Sequence, residues 1–111
     1  MIENLFSYGT LREETEQQAV FGRSLGGAAD AVLGYRLESV TITDPAAIAI
    51  SGKNEHLILD PTGRDGDRVE GAVFQITEAE LALADTYEDA AYQRVLAPLR
   101  SGGQAWVYVR A

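Results

Sequence analysis

The residue in this sequence best suited to chemistry is a carboxylate at the end of a predicted helix. Leu81, Ala84 and Glu88 recur at spacings of three and four residues, which places them on one face of a helix. On that face, partial burial, the acidic neighbours Asp85 and Asp89, and the negative end of the helix dipole all favour a raised pKa for Glu88. A raised pKa suits a general acid/base near neutral pH. The same spacing also fits a solvated glutamate at a helix end.

A second candidate is the turn Tyr8-Gly9-Thr10-Leu11, where a short strand runs directly into a glycine. Successive backbone N–H groups in such a turn can form a nest that binds a carboxylate or an oxyanion. The alternative is an ordinary turn that ends a strand.

Two further side chains are weaker candidates. Arg94 shares strand parity with Tyr92 and Leu96, so it can pair either with a substrate carboxylate or with an acid at the helix end. Of these two alternatives, we favour the structural ion pair with the acid at the helix end. His56 is the single histidine and lies in a short predicted strand, where a structural or surface role is favoured.

Composition excludes several classes of protein and site. The 111 residues include 9 basic and 17 acidic side chains, a formal net charge of −8, and no cysteine, so disulfides, thiolate metal sites and cysteine nucleophiles are excluded. Asp85, Glu88 and Asp89 lack the loop spacing that calcium requires, and we predict no metal site. The negative charge disfavours binding to nucleic acid.

The chain has the size and composition of one globular domain over residues 1–111. No apolar run approaches the ~20 residues needed to cross a bilayer, and the first residues lack the pattern of a signal peptide. We therefore expect a cytoplasmic protein with no membrane partner.

The elements that must position these residues follow from turn residues and periodicity. Thr77 and Glu80 have capping-box spacing, which predicts one main helix. Gly34 predicts a bend within one long strand, and residues 12–21 are expected to form a loop or one weak helical turn. The remaining predictions are strands at 5–8, 31–42, 47–50, 56–59, 69–76, 92–99 and 105–109, with turns at 51–54, 61–67 and 101–103.

Together these elements predict an α+β domain: a small mixed β-barrel of five to seven strands with one main helix and a short helical turn. Residues 92–109 read as a β-hairpin. Its last strand is apolar or aromatic on both faces, which predicts a central strand that is covered on both sides.

The order of these pieces resembles the γ-glutamylcyclotransferase-like superfamily, and in particular its small avirulence-induced-gene-like (γ-glutamylamine cyclotransferase-like) branch. The resemblance covers nearly the whole chain. It rests on Tyr8-Gly9-Thr10-Leu11, Val69-Glu70-Gly71-Ala72-Val73-Phe74, Ala84-Asp85-Thr86-Tyr87-Glu88, Tyr92-Gln93-Arg94 and Trp106-Val107-Tyr108.

The resemblance implies a barrel with a cavity beside it and a reaction that needs no cofactor. The α-amine of a γ-glutamyl compound attacks its own γ-amide carbonyl and releases an amine and 5-oxoproline, with Glu88 as acid/base. The turn, through Tyr8, Gly9, Thr10 and Leu11, cradles the γ-glutamyl group. Arg94 or the hydroxyls of Tyr8, Tyr87 and Tyr108 are unranked candidates to anchor the α-carboxylate. The expected partner is this small-molecule substrate, and the expected state is a monomer or weak homodimer.

The sequence departs from the family pattern in two places. Asp89 stands where family members often have glycine, and residues 43–67 align with no single member. We expect that segment to form the pocket wall. A non-catalytic module that binds amino-acid-like ligands on the same barrel is the main alternative, and a structural interaction domain is the third.

Overall fold

A computed structural model describes residues 2–41, 43, 45–51, 55–64, 66–88 and 91–111. Asp89, the turn residues 52–54 and the side chains of Thr10 and His56 lie outside the described part. The elements are β1 (Ile2–Ser7), a 3-10 helix (Thr10–Arg12), α1 (Glu14–Phe21), β2 (Gly27–Leu33), β3 (Tyr35–Thr41), α2 (Pro45–Ser51), β4 (Glu55–Pro61), β5 (Arg68–Thr77), α3 (Glu78–Tyr87), β6 (Tyr92–Pro98) and β7 (Gln104–Arg110).

The predicted α+β class is confirmed, but the main sheet is not a closed barrel. Five strands pair in the order β2-β5-β1-β7-β6, and β3 pairs with β4 in a separate two-stranded sheet. β1 is antiparallel to β5 and parallel to β7. The outer strands approach at one end, where Val32 and Leu99 form an isolated bridge and the N–H of Arg100 donates to Ala31 O over 2.8 Å.

Both predictions at the end of the chain are confirmed. β6 and β7 form the hairpin, and β7 lies between β1 and β6. Its two faces enter different parts of the core, since Val107 packs with Phe6 and Val32 whereas Tyr108 packs with Leu5 and the helix α3.

The capping box that starts α3 is present. Thr77 Oγ1 accepts a hydrogen bond from the N–H of Glu80 over 3.1 Å, and the N–H of Thr77 donates to Glu80 Oε1 over 2.9 Å. Arg23 contacts both oxygens of Glu80 at 2.6 and 2.8 Å. The hydrogen bond from Arg23 is the main reason that the pKa of Glu80 falls to about 2.

The prediction of a loop or weak turn at residues 12–21 is wrong, because α1 is a full helix of 8 residues. Its buried side chains include the polar Glu16 and Gln17, so the sequence shows no apolar stripe. Gln17 fixes the helix: its Nε2 donates to Leu11 O over 2.9 Å, and its Oε1 accepts from the N–H of Leu25 over 2.8 Å.

Residues 47–50 form part of α2, and the predicted strand there is wrong. Proline favours the first position of a helix and alanine its interior, so Pro45 and the alanines that follow support a helix. A run of only four apolar residues does not separate the two structures by periodicity.

The long strand predicted for residues 31–42 is divided at Gly34 into β2 and β3, which belong to different sheets. The bend expected there is confirmed, because Gly34 has a φ of +84°, a conformation that side chains disfavour. The N–H of Gly34 donates to Asp67 O, and its carbonyl accepts from the N–H of Thr62, each over 2.8 Å.

Gly71 is required by the close approach of β5 to the end of β1. A Cβ placed on Gly71 would lie 2.3 Å from the carbonyl oxygen of Ser7, a backbone atom, and 2.7 Å from Cζ of Phe6. Gly26, in contrast, has no described atom within 4 Å of an added Cβ. Glycine at position 71 therefore determines how closely the two strands approach just before Tyr8.

We expect Gly71→Ala to lower the free energy of unfolding by about 1–3 kcal/mol, because the backbone of β1 must shift to admit the methyl group. Urea unfolding measures this change, and Gly26→Ala is the matched control in open space. Equal stability of the two variants would contradict the close approach.

Candidate functional site

The position of Glu88, the candidate acid/base, follows from the similar lengths of α3 and β1. β5 runs antiparallel to β1 and ends where Thr77 faces Ile2. α3 begins there and packs Leu81 and Ala84 against the sheet. The 11-residue step from Thr77 to Glu88 rises about 16 Å, close to the ~17–20 Å length of β1. Glu88 therefore arrives at the end of the sheet where β1 passes into Tyr8.

Glu88 is the residue that ends α3. Its N–H donates to Ala84 O over 3.1 Å, while its own φ of −72° and ψ of 143° are extended. The side chain is half-buried. The charge of Glu88 raises the pKa of both Tyr8 and Tyr108, so its carboxylate lies near both phenols. Structure thus brings together three residues that the sequence singled out separately.

Tyr8 is buried, and its hydroxyl donates to the backbone oxygen of Tyr108 over 2.6 Å. Burial is the largest cause of the strong increase in the pKa of Tyr8, followed by the nearby Tyr92 and Glu88. A backbone hydrogen bond from Leu59 opposes the increase. The phenol therefore keeps its proton throughout the neutral range.

Tyr108 is also buried, and its hydroxyl donates to Asp85 Oδ1 over 2.7 Å. Burial raises the pKa of Tyr108 far above its usual value; Asp85 and Glu88 add to this increase, and Arg94 opposes it. Each phenol thus donates its single proton to a protein acceptor, Tyr8 to a carbonyl and Tyr108 to a carboxylate.

Arg94 forms the ion pair with a helix-end acid that the sequence favoured over a substrate contact. Its Nε lies 2.8 Å from Asp85 Oδ1 and its Nη2 lies 3.0 Å from Asp85 Oδ2. The guanidinium also stacks 4.3 Å from the ring centre of Trp106. The hydrogen bond from Arg94 is the main cause of the lowered pKa of Asp85. Arg94 therefore compensates the charge of Asp85, which lies three residues before Glu88.

The turn at residues 8–11 differs from the expected nest. A nest alternates right- and left-handed backbone conformations, and none of these four described residues has a positive φ. The chain instead enters the 3-10 helix, where the N–H of Arg12 donates to Gly9 O over 3.2 Å. Leu11 is buried against α3 and fixes the turn. A Cβ on Gly9 would have no described atom within 4 Å, so the space beside it is open.

β4 lies along this end of the sheet, while the role of residues 43–67 as a pocket wall stays a prediction. The hydroxyl of Tyr92 donates to Leu57 O over 2.6 Å, and Leu59 makes the backbone hydrogen bond to Tyr8. Arg110 binds Asp60 through two hydrogen bonds of 2.6 and 3.3 Å. The backbone of His56 pairs with Val40 within the two-stranded sheet.

Sequence reasoning missed Tyr92 and Gln17 as site-forming residues. Tyr92 begins β6, and only the packing of β4 shows what its hydroxyl contacts. No sequence pattern marks Gln17 as buried, because a glutamine in a polar stretch of sequence is normally exposed to solvent. Tyr87 is half-buried at the end of α3.

Two cavities on the described surface lie away from Glu88. One of about 360 Å³ is lined by residues that include Tyr35 and Asp67, and one of about 590 Å³ includes Asn4 and Asp30. Within the described residues, no group of three or more acidic or histidine side chains could hold a metal ion. No helix of the described ranges is long and apolar enough to span a membrane.

We expect stability to fall above pH 10, where unfolded tyrosines ionise. Burial raises the pKa of folded Tyr8 and Tyr108, so the unfolded chain releases protons that the folded chain retains. Each tyrosine then contributes a loss of about 1.4 kcal/mol per pH unit. Tyr108→Phe should show a shallower decline than the wild type between pH 8 and pH 11 in urea titrations. Parallel declines would contradict the raised pKa values.

The family model described as "Gamma-glutamyl cyclotransferase, AIG2-like" matches residues 5–111. No curated protein sequence matches significantly. Among solved structures, an Arabidopsis thaliana protein has a TM-score of 0.72 at 20% identity, over 99% of this chain and 62% of its own. A γ-glutamyl cyclotransferase has a TM-score of 0.73 at 14% identity, over 100% of this chain and 68% of its own. A human protein has a TM-score of 0.70 at 15% identity, over 99% and 67%.

The chain thus spans about two thirds of the length of these relatives. At such low sequence identities, the similarity to the solved structures shows a shared fold. Membership of a family is shown by the family model, which covers almost every residue of the chain. The chain belongs to the AIG2-like γ-glutamyl cyclotransferase family.

Proposed function

We propose that the protein is a γ-glutamyl cyclotransferase with Glu88 as its acid/base. The observation that carries this proposal is the half-buried Glu88 carboxylate at the end of α3, close to the phenols of Tyr8 and Tyr108. Membership of the family supports a γ-glutamyl substrate.

The reaction is an intramolecular transfer. The α-amine forms a bond to the γ-carbonyl carbon, the amide C–N bond breaks, and the products are 5-oxoproline and an amine. The attacking nitrogen must lose a proton and the leaving nitrogen must gain one. A single carboxylate can perform both transfers in sequence, which is the role we assign to Glu88. The reaction balances without a cofactor or co-reactant.

The turn after β1 is the proposed site for the carbonyl oxygen that becomes negative during attack. Backbone N–H groups of Thr10 and Leu11 are the candidate donors, since the first N–H groups of a helix lack partners within it. The N–H of Gly9, which precedes this helix, donates to Ser7 Oγ over 3.4 Å. The open space beside Gly9 leaves room for a substrate there. A folded γ-glutamyl chain held at this turn brings its amine to attack distance.

The phenols and Arg94 receive different roles. Arg94 is bound to Asp85, so we propose that it acts in the protein rather than on the substrate carboxylate. Tyr8 and Tyr108 donate their protons to protein acceptors, so each can meet a further group only as an acceptor, and the oxygen of Tyr8 already accepts a backbone hydrogen bond from Leu59. We therefore assign them to the substrate's α-ammonium group, which is a hydrogen-bond donor.

We also propose that residues 1–111 act as one domain on a free small molecule in the cytoplasm, as a monomer or weak homodimer. One five-stranded sheet contributes to both clusters of the core, which supports a single folding unit.

We expect Glu88→Gln to lower kcat by at least about 100-fold, because the amide cannot take a proton from the substrate amine. The assay measures 5-oxoproline and released amine from γ-glutamyl dipeptides, γ-glutamyl-ε-lysine and simple γ-glutamyl amines. Glu78→Gln is the matched control, since it removes one carboxylate from the exposed start of the same helix. Equal activity of both variants would show that Glu88 is not the acid/base.

A thermal-shift measurement on the same panel separates catalysis from binding. Ligand-induced stabilisation of wild type without product would favour the non-catalytic binding module. The absence of both ligand-induced stabilisation and product would contradict γ-glutamyl recognition altogether.

A further inference from the structure

Asp85 and Glu88 lie three residues apart at the end of α3, a spacing that places neighbouring side chains on one side of a helix. Two carboxylates at this position are unfavourable, because the C-terminal end of a helix carries partial negative charge. The last turn of α3 therefore needs a compensating partner from outside the helix.

Two strands supply that partner. Arg94 of β6 binds both oxygens of Asp85, and Tyr108 of β7 donates a third hydrogen bond to Asp85 Oδ1. Arg94 is itself held over the ring of Trp106, whose Nε1 donates to Glu3 Oε2 over 3.3 Å. The end of α3 is thus joined to three strands of the sheet through one carboxylate.

We propose that Asp85 and Arg94 are a positioning pair, which holds the last turn of α3 against β6 and β7 and sets the charge that Glu88 experiences. This inference rests on the proposed function only for its effect on turnover. The electrostatic part concerns the folded protein and can be measured without a substrate.

The donor arrangement shows why the pair matters for Glu88. The hydroxyl of Tyr108 donates its hydrogen bond to Asp85, and the hydroxyl of Tyr8 donates its hydrogen bond to the carbonyl of Tyr108. Neither phenol has a second proton for Glu88. With Asp85 removed as an acceptor, the Tyr108 hydroxyl is released from this hydrogen bond.

Glu88 shares its charged and titratable neighbours with the pair. Asp85 lies three residues before it in the chain, and Asp85, Glu88 and Arg94 all affect the pKa of Tyr108 from β7. Glu88 and Tyr92 of β6 both raise the pKa of Tyr8 after β1. Asp85 and Arg94 carry opposite charges that cancel while both are present. Removing either one leaves the other uncompensated beside Glu88.

The test measures the titration of the Glu88 carboxyl carbon by NMR, assigned through Glu88→Gln. Asp85→Asn leaves Arg94 unpaired, which favours ionised Glu88 and should move its titration to lower pH. Arg94→Met leaves the Asp85 charge without its guanidinium partner, which favours protonated Glu88 and should move the titration to higher pH. Each shift should be about 0.5–1 pH unit, and the double variant should return toward wild type.

Arg23→Met is the matched control, since it removes a two-bond ion pair from the other end of α3. It should destabilise the fold without moving the titration of Glu88. Shifts of the same sign in Asp85→Asn and Arg94→Met, or shifts as large in Arg23→Met, would overturn the proposal.

Turnover provides the second readout. If wild type releases 5-oxoproline, Asp85→Asn should lower kcat about 10-fold and leave KM within about twofold, because Asp85 acts through Glu88 rather than on the substrate. The acid limb of kcat/KM should move in the direction of the NMR shift. A larger effect on KM than on kcat would overturn the positioning role. If the wild type forms no product, the proposed function is contradicted, and the NMR titration alone then tests the positioning role of Asp85 and Arg94.

Discussion

The length of α3, measured against the strand that it returns along, determines where the candidate site can lie. β5 ends opposite the start of β1, and the capping box at Thr77 starts the helix without an intervening loop. A helix one turn shorter would leave Glu88 about 5 Å short of that end of the sheet. The close approach at Gly71 sets the spacing of β1 and β5 at the other end, where the chain enters Tyr8. The acid/base candidate and the turn therefore meet because of backbone geometry.

Charge compensation is the second constraint at this end of the molecule. The chain carries a net charge of −8, and α3 ends in a region rich in carboxylates. Arg94 compensates Asp85, while Arg110 compensates Asp60 on β4. These pairs join α3 and β4 to strands β6 and β7 of the main sheet. The phenols complete the arrangement, because burial raises the pKa of both, and the hydrogen bond to Asp85 raises that of Tyr108 further, so both stay protonated near neutral pH.

The relatives share the fold at 14–20% identity, which indicates how few side chains the architecture demands. In this chain those demands are local and physical: no side chain at Gly71, a positive φ at Gly34, and apolar residues on both faces of β7. β4 lies at the same end of the sheet, where it contributes the backbone oxygen of Leu57 and a backbone hydrogen bond from Leu59. Contacts of Leu57 and Leu59 with Tyr92 and Tyr8 place that segment next to the proposed chemistry.

The sequence by itself determined the features that depend on neighbouring residues. Thr77 with Glu80, the bend at Gly34, the terminal hairpin and the helical face of Glu88 all arise within a few residues, so local spacing predicted them. Tertiary structure decided the rest. α1 is stabilised by bonds from the Gln17 side chain to the backbone of Leu11 and Leu25, on either side of the helix. The main sheet is not closed, because β2 and β6 do not pair along their length and a single bridge joins Val32 to Leu99 after β6. Arg94 had two candidate partners in the sequence, and only the packing of α3 on β6 and β7 brought Asp85 within hydrogen-bonding distance.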